Sequence, residues 1–196
     1  MRRDRRRAAP DTLITPVPLR GEAKLRAALE RFGVLVEGRV CLDLGAAAGG
    51  FTRVLLEAGA SRVYAIDAGF GQLLGSLRQD ERVVNLEATN VARLDTRLVP
   101  DAIEVVTVDV SYLALAAAVA QLDRIVLAPG ADLVGLVKPM FELRLATAPV
   151  DHEQVEEATR RASAGIEAAG WNVMATMPSP VLGARGAVEA LIHARR

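Results

Sequence analysis

The sequence predicts an α/β fold built on a seven-stranded sheet. The sheet is expected to be parallel except for one antiparallel strand at the end, with helices on both faces. Three observations carry this. Apolar strand-like runs alternate with helix-like periods along the chain, which is the pattern of a doubly wound sheet. Runs such as Val105-Val106-Thr107-Val108 are apolar without alternation, as strands buried on both faces are. The last two strand-like runs are separated only by a Pro/Gly turn, and a parallel crossover needs about a dozen residues, so these two must run antiparallel.

The elements follow in order. Residues 1–19 hold an Arg cluster and then Pro10, Pro16 and Pro18, and read as a disordered arm with an extended lead-in. Residues 20–196 form the folded domain. Leu25, Ala28, Leu29 and Phe32 make an i, i+3, i+4, i+7 stripe on a helix over 21–32, stopped by Gly33, with Lys24 at the edge of the stripe. Strand 39–44 ends at Asp43-Leu44-Gly45, and helix 50–59 follows a glycine turn. Strand 62–66 ends at Asp67, helix 72–79 follows, and then strand 82–86. Strand 103–108 ends at Asp109. An Ala/Leu-rich helix over 113–127 is closed by Pro129-Gly130, and strand 132–137 ends at Lys138-Pro139. Asp151 and Gln154 form a capping box for a helix whose buried stripe is Val155, Ala158, Ala162, Ile166 and Ala169, stopped by Gly170. Strands 171–177 and 187–194 complete the chain.

Composition narrows the chemistry. The chain has 196 residues, 51% of them hydrophobic, enough for one sizeable core. Its 24 basic residues balance 24 acidic ones, yet only two of the basic residues, Lys24 and Lys138, are lysine. Arginine does not lose its proton in proteins, whereas lysine can, so these two positions are candidates for work that arginine cannot do. Cys41 is the single cysteine, which excludes an internal disulfide framework and a cysteine-based zinc site, and it reads as an inert core residue. No membrane span and no secretory signal is seen, so a cytoplasmic protein is expected. The neutral net charge combines a basic arm, with arginine at 2, 3, 5, 6 and 7, and a mildly acidic body. Such an arm suits phosphate contacts, but a frayed solvated terminus is an equally good reading. His152 and His193 have no metal-ligand spacing around them and read as solvent-facing.

The loop Asp43-Leu44-Gly45-Ala46-Ala47-Ala48-Gly49-Gly50-Phe51 joins the first strand to its helix, where glycines let the backbone approach a ligand. Open α/β sheets bind ligands at the carboxyl ends of their strands. Asp67 ends the next strand 22 residues after Gly45, placed to accept hydrogen bonds from ribose hydroxyls. The dinucleotide fingerprint needs a second glycine that G-A-A-A-G-G lacks. An acidic residue just before the loop suits a cationic methionine group, which favours S-adenosylmethionine (SAM) over NAD.

The chain resembles the FtsJ-like ribosomal RNA methyltransferases, and most closely their TlyA (haemolysin-like) branch. The resemblance rests on Arg20-Gly21 with Lys24-Leu25, D-L-G-A-A-A-G-G-F-T at 43–52, Val63–Asp67, and Gly69-Phe70-Gly71-Gln72-Leu73. It continues through Leu77–Asp80, Thr89-Asn90, V-D-V-S-Y at 108–112, V-K-P-M-F-E at 137–142, and S-P-V-L-G at 179–183 with Val188-Glu189. It implies a Rossmann-like SAM-dependent methyltransferase fold and a Lys-Asp-Lys-Glu tetrad for ribose 2′-O-methylation of RNA. Carried over, the tetrad is Lys24, Asp109, Lys138 and Glu189. Lys138 is expected to be the base or the hydroxyl-orienting residue, Asp109 to position it and the reacting methyl, and Lys24 with Glu189 to complete the network. The cofactor residues implied are Asp43, Gly45, Ala46, Gly49, Gly50, Phe51, Asp67, Asn90 and Asp109. Asn90 is expected either near the adenine or as the cap of a turn. Tyr112 and Phe141 flank the tetrad and either stack on a base or wall the pocket, and Glu142 reads as a loop charge.

The sequence departs from the family at three places. Only the arm and lead-in stand where TlyA-type proteins carry a small RNA-binding domain. The loop at 143–149 is short and has no glycine, where the family's is longer and glycine-rich. Ala47 and Ala48 replace a Ser/Thr in the cofactor loop. Ribosomal RNA or a ribosomal subunit is the expected substrate, with a small-molecule hydroxyl as the alternative and a non-catalytic binding module as a third reading.

Overall fold

A computed structural model describes residues 18–147 and 152–196; the Arg-rich arm and the Asp151 cap lie outside the described residues. Seven strands form one sheet: β1 (Val40–Leu44), β2 (Arg62–Ile66), β3 (Val83–Leu86), β4 (Ile103–Val108), β5 (Leu127–Val137), β6 (Asn172–Pro178) and β7 (Ala190–Arg195). Their order is β3-β2-β1-β4-β5-β7-β6. The five strands from β3 to β5 pair in parallel, and β7 runs antiparallel to both β5 and β6. The antiparallel strand is thus last in the chain but second from the sheet edge, because β6 forms the edge.

The doubly buried runs divide their side chains between two cores. Leu42, Leu44, Tyr64, Ile66, Val106 and Val108 face one side. Cys41, Val63, Ala65 and Val105 face the other. This is the two-residue period of a strand expressed on a sheet covered on both sides. Helices α1 (Arg20–Phe32) and α2 (Gly50–Glu57) and the single turn α3 (Gly75–Arg78) lie with the second core. Helix α4 (Leu115–Val119) and helix α6 (His152–Ala168) lie with the first, where Val155, Ala158, Ala162 and Ile166 supply the buried stripe expected of α6. The one-turn α5 (Pro139–Glu142) follows β5 directly.

Two expected elements differ. The helix expected over 113–127 is α4 followed by a 3₁₀ turn over Ala120–Arg124, and β5 begins at Leu127 rather than at 132. Pro129-Gly130 is therefore a bulge within a strand and not a helix stop. Pairing runs Ile103↔Leu127 and then Val105↔Asp132, so β5 carries extra residues there. Gly130 takes φ +74°, and its N–H donates to the carbonyl of Arg196 at 2.7 Å. The helix expected over 72–79 shrinks to α3.

Helix α1 places Lys24 over the sheet because its start is clamped. Glu22 accepts from the Leu19 amide at 3.1 Å and pairs with Arg53 of α2 at 2.6 Å. Its end is closed by Gly33 in the left-handed region. Among the described residues, no helix is long and apolar enough to cross a membrane.

Candidate active site

The strand order reverses between β1 and β4, and ligand crevices of open α/β sheets form at such switch points. Gly45 leaves β1 here and Asp109 leaves β4, tied by the Asp109 amide donating to the Leu44 carbonyl at 2.8 Å. Gly45 adopts φ +89°, and a Cβ on it would sit 2.5 Å from the Asp109 carbonyl oxygen. Only glycine fits, so the floor of the crevice is bare backbone.

A cleft of about 710 Å³ opens above this floor, and Lys24, Asp109, Lys138 and Glu189 all line it. Four positions spread over 165 residues are brought together as two ion pairs. Lys24 Nζ lies 2.6 Å from Glu189 Oε2, with both side chains almost wholly buried. Lys138 Nζ lies 2.5 Å from Asp109 Oδ1 in a more open setting, and donates to Ser111 Oγ at 2.7 Å. The Lys138–Asp109 contact is an ion pair outside hydrogen-bonding geometry, and Asp109 Oδ1 accepts no aligned hydrogen bond among the described residues. Each member is placed by an element end. Lys138 is the residue before α5, Glu189 directly precedes β7, and Lys24 is carried by α1. A Cβ on Gly183 would fall 2.2 Å from Glu189 Oε1, so a side chain there would displace the Glu189 carboxylate from its place beside Lys24.

The cofactor-loop residues are placed as follows. Ala46, Gly49, Gly50 and Phe51 are buried in the loop and at the start of α2. Gly49 takes φ +98°, and Phe51 packs against Gly21 of α1. Asp67 accepts from the Ala47 amide at 2.8 Å and the Gly69 amide at 2.7 Å, which draws the two loops together and leaves each oxygen a further lone pair. Asn90 Oδ1 accepts from the Ala92 amide at 2.9 Å and caps the 3₁₀ turn Val91–Arg93; its Nδ2 is the group left to a ligand.

Asp43 is not presented to the cleft. It is wholly buried beneath the loop, where Thr52 donates to Oδ2 at 2.6 Å and Thr107 to Oδ1 at 2.9 Å. Burial pushes its carboxyl up to about 6, against the opposing pull of the two hydroxyl bonds. Thr107 could be linked to Asp43 only through register, since the two residues pair across β1 and β4.

Three further residues differ from the sequence reading. His193 is buried, stacks on Phe32 and meets Asp132 Oδ1 at 2.8 Å, because β7 is an inner strand; His152 is exposed as expected. Arg39 also pairs with Asp132, whose carboxyl is held below its ordinary range despite burial by its bonds to Arg39, His193 and Arg195. Glu142 is no loop charge: its carboxylate accepts from the Leu115 amide at 2.5 Å and caps α4 from 27 residues away. Phe141 lines the cleft, whereas Tyr112 is half-exposed with its hydroxyl accepting from the Val91 amide at 3.4 Å. Ser111, which the sequence reading did not single out, sits two residues after Asp109 within V-D-V-S-Y.

A family model described as FtsJ-like methyltransferase matches residues 18–196. The chain belongs to the FtsJ-like methyltransferase family. Among its relatives in the family, the 16S/23S rRNA (cytidine-2′-O)-methyltransferase TlyA of Mycobacterium tuberculosis is 40% identical over 185 residues, 90% of this chain and 67% of that protein. A solved protein described as a hemolysin, from Streptococcus thermophilus, superposes with a TM-score of 0.85 at 34% identity, covering 90% of this chain and 66% of its own. This FtsJ-like chain therefore spans about two thirds of the length of such relatives. Aeropyrum pernix fibrillarin, solved with natively bound S-adenosyl-L-methionine, shares the fold at a TM-score of 0.63 and 21% identity, over 89% of this chain and 75% of that one.

Proposed function

We propose that this chain transfers the methyl group of SAM to a ribose 2′-hydroxyl of ribosomal RNA. The observation that carries the reading is the convergence of Lys24, Asp109, Lys138 and Glu189 in one cleft beside the glycine loop. The names of its relatives supply the substrate class.

The site suits the cofactor. The glycine-floored turn admits a ligand against backbone at Gly45, Ala46 and Ala47, and Asp67 has lone pairs for ribose hydroxyls. Asp109, which lines the cleft with Gly45, would offer negative charge to the methionine end. Gly49, Gly50 and Phe51 shape the loop, Asp43 adds negative charge from beneath, and the Asn90 amide is available to the base. When bound, SAM supplies an electrophilic methyl on a cationic sulfonium.

The chain's own task is to orient a ribose hydroxyl and take its proton. Lys138 Nζ touches Asp109 and Ser111, which leaves one of its tetrahedral positions for the substrate oxygen. In its amine form that position accepts the hydroxyl proton as the oxygen attacks. Asp109 holds the lysine in place. The Lys24–Glu189 pair forms a rigid second wall, since both side chains are locked by burial and by each other. A ribosomal substrate places this activity in the cytoplasm.

The test is methyl transfer from labelled SAM to purified ribosomal subunits, free rRNA and a small-molecule extract. Label recovered in alkali-resistant dinucleotides is the expected result. Label confined to small molecules overturns the reading.

A further inference from the structure

Four residues other than glycine adopt positive φ among the described residues: Ala47, Ala88, Arg144 and Arg185. A side chain at such φ is strained, and strain of this kind gathers at ligand clamps. Two of the four are arginines, and both belong to segments that border the tetrad cleft. Arg185 (φ +56°) lines the cleft itself, on the 3₁₀ turn Ala184–Gly186 that precedes Glu189. Arg144 (φ +53°) lies on the segment that follows α5, between Phe141 and Ala146, which both line the cleft. Both are exposed, and neither makes a hydrogen bond or ion pair among the described residues. Among the described residues, most other arginines are spent on carboxylates, as at Arg26, Arg53, Arg82, Arg97 and Arg195.

We infer that Arg144 and Arg185 are the phosphate contacts of the substrate strand, one guanidinium from each of these two cleft-bordering segments. The inference rests on the proposed RNA reading and deepens it. A nucleotide whose 2′-hydroxyl reaches Lys138 carries one phosphate on its 5′ side and one on its 3′ side. Two unpaired guanidinium groups flanking the site match that pair, and each can bind a phosphate in bidentate fashion. A small-molecule hydroxyl has no such pair of charges. The two arginines thus give an otherwise acidic body a local reason to hold a polyanion. They also account for arginine at position 144, where the strained backbone would favour glycine.

The strain makes the test clean. In the full chain, Arg144→Gly and Arg185→Gly relieve the backbone, so melting temperature holds or rises, whereas removal of a structural residue would lower it. Arg144→Gln and Arg185→Gln repeat the charge loss without added flexibility, and Arg31→Gln removes an exposed arginine on the last turn of α1, away from the cleft. The probe is a fluorescent single-stranded oligoribonucleotide of mixed sequence, titrated between 50 and 200 mM salt. Each phosphate contact on a single strand adds about 0.7 to the salt slope, so the double variant loses about 1.4. The wild-type advantage then shrinks about sevenfold across that range, while Arg31→Gln keeps the wild-type slope. The arm contributes equally to every protein and cancels. If wild type methylates RNA and both double variants keep its slope, the clamp is wrong and the RNA reading stands. If wild type places no label in RNA, the RNA reading fails and the clamp falls with it. SAM binding, measured by calorimetry, stays at the wild-type value if the two arginines serve the substrate strand; its loss would overturn the assignment.

Discussion

Replacing Asp43 with Asn tests the electrostatics under the cofactor loop. Asp43 has no exposed surface and meets two hydroxyls and no cation. Its carboxyl is raised from 3.8 to about 6, so the folded protein holds this proton more tightly than the unfolded chain. The stability that protonated Asp43 contributes is therefore full below pH 3.8 and is lost as pH rises through about 6. At 1.36 kcal/mol per pKa unit, the loss totals about 3 kcal/mol, a sizeable part of a typical domain's stability of about 5–15 kcal/mol. About 1.3 kcal/mol of it falls between pH 5 and 7. An Asn amide can accept from one threonine hydroxyl and donate to the other, so the variant leaves no orphaned group. Urea unfolding of both proteins at pH 5, 6 and 7 should show the variant gaining on wild type by about 1.3 kcal/mol over that span. A difference that stays flat with pH would refute the buried, uncompensated carboxylate. If the charge is retained for its field at the loop, SAM binds the variant more weakly than wild type at pH 8. At pH 5, where both side chains are neutral, the two bind alike.

Three other outcomes follow from the same geometry. Lys138→Arg keeps the charge but cannot take a proton, so turnover falls at least about 100-fold while SAM binding measured by calorimetry is kept. Lys24→Met strands a buried Glu189 and lowers stability by about 3 kcal/mol; adding Glu189→Met recovers most of that in urea unfolding without restoring methyl transfer, which separates structural from chemical roles. Gly45→Ala drives a Cβ to 2.5 Å from the Asp109 carbonyl at φ +89°, costing about 2 kcal/mol or more in thermal unfolding and weakening SAM binding together.

Much of the candidate site is legible in the sequence because its signals are local. Lys24 and Lys138 stand out as the two lysines among 24 basic residues. Asp67, Asp109 and Lys138 each sit where an apolar strand run stops, and stopping points share one edge of a parallel sheet. Glu189 came from the family resemblance alone; no period or cap marks it. Its pairing with Lys24 joins residues 165 positions apart, and a local window of sequence cannot register that.

The misplaced residues share one cause. His193 reads as solvent-facing because no metal-ligand spacing surrounds it, and β7 instead inserts between β5 and β6 and buries it. Glu142 was expected as a loop charge because its partner, the Leu115 amide, lies across a tertiary contact. Pro129-Gly130 looked like a helix stop, since proline and glycine end helices and shape bulges by the same backbone properties.

The sequence by itself determined the alternation of strands and helices, the doubly buried sheet and the residue types able to do acid–base chemistry. Those follow from periodicity and side-chain chemistry, which are properties of short stretches. Only the tertiary structure decided that Asp43 lies wholly buried rather than lining the cleft, that four distant side chains form two ion pairs in one cleft, and that two arginines near it adopt positive φ. Those are matters of register and packing, fixed only when the whole chain is placed at once.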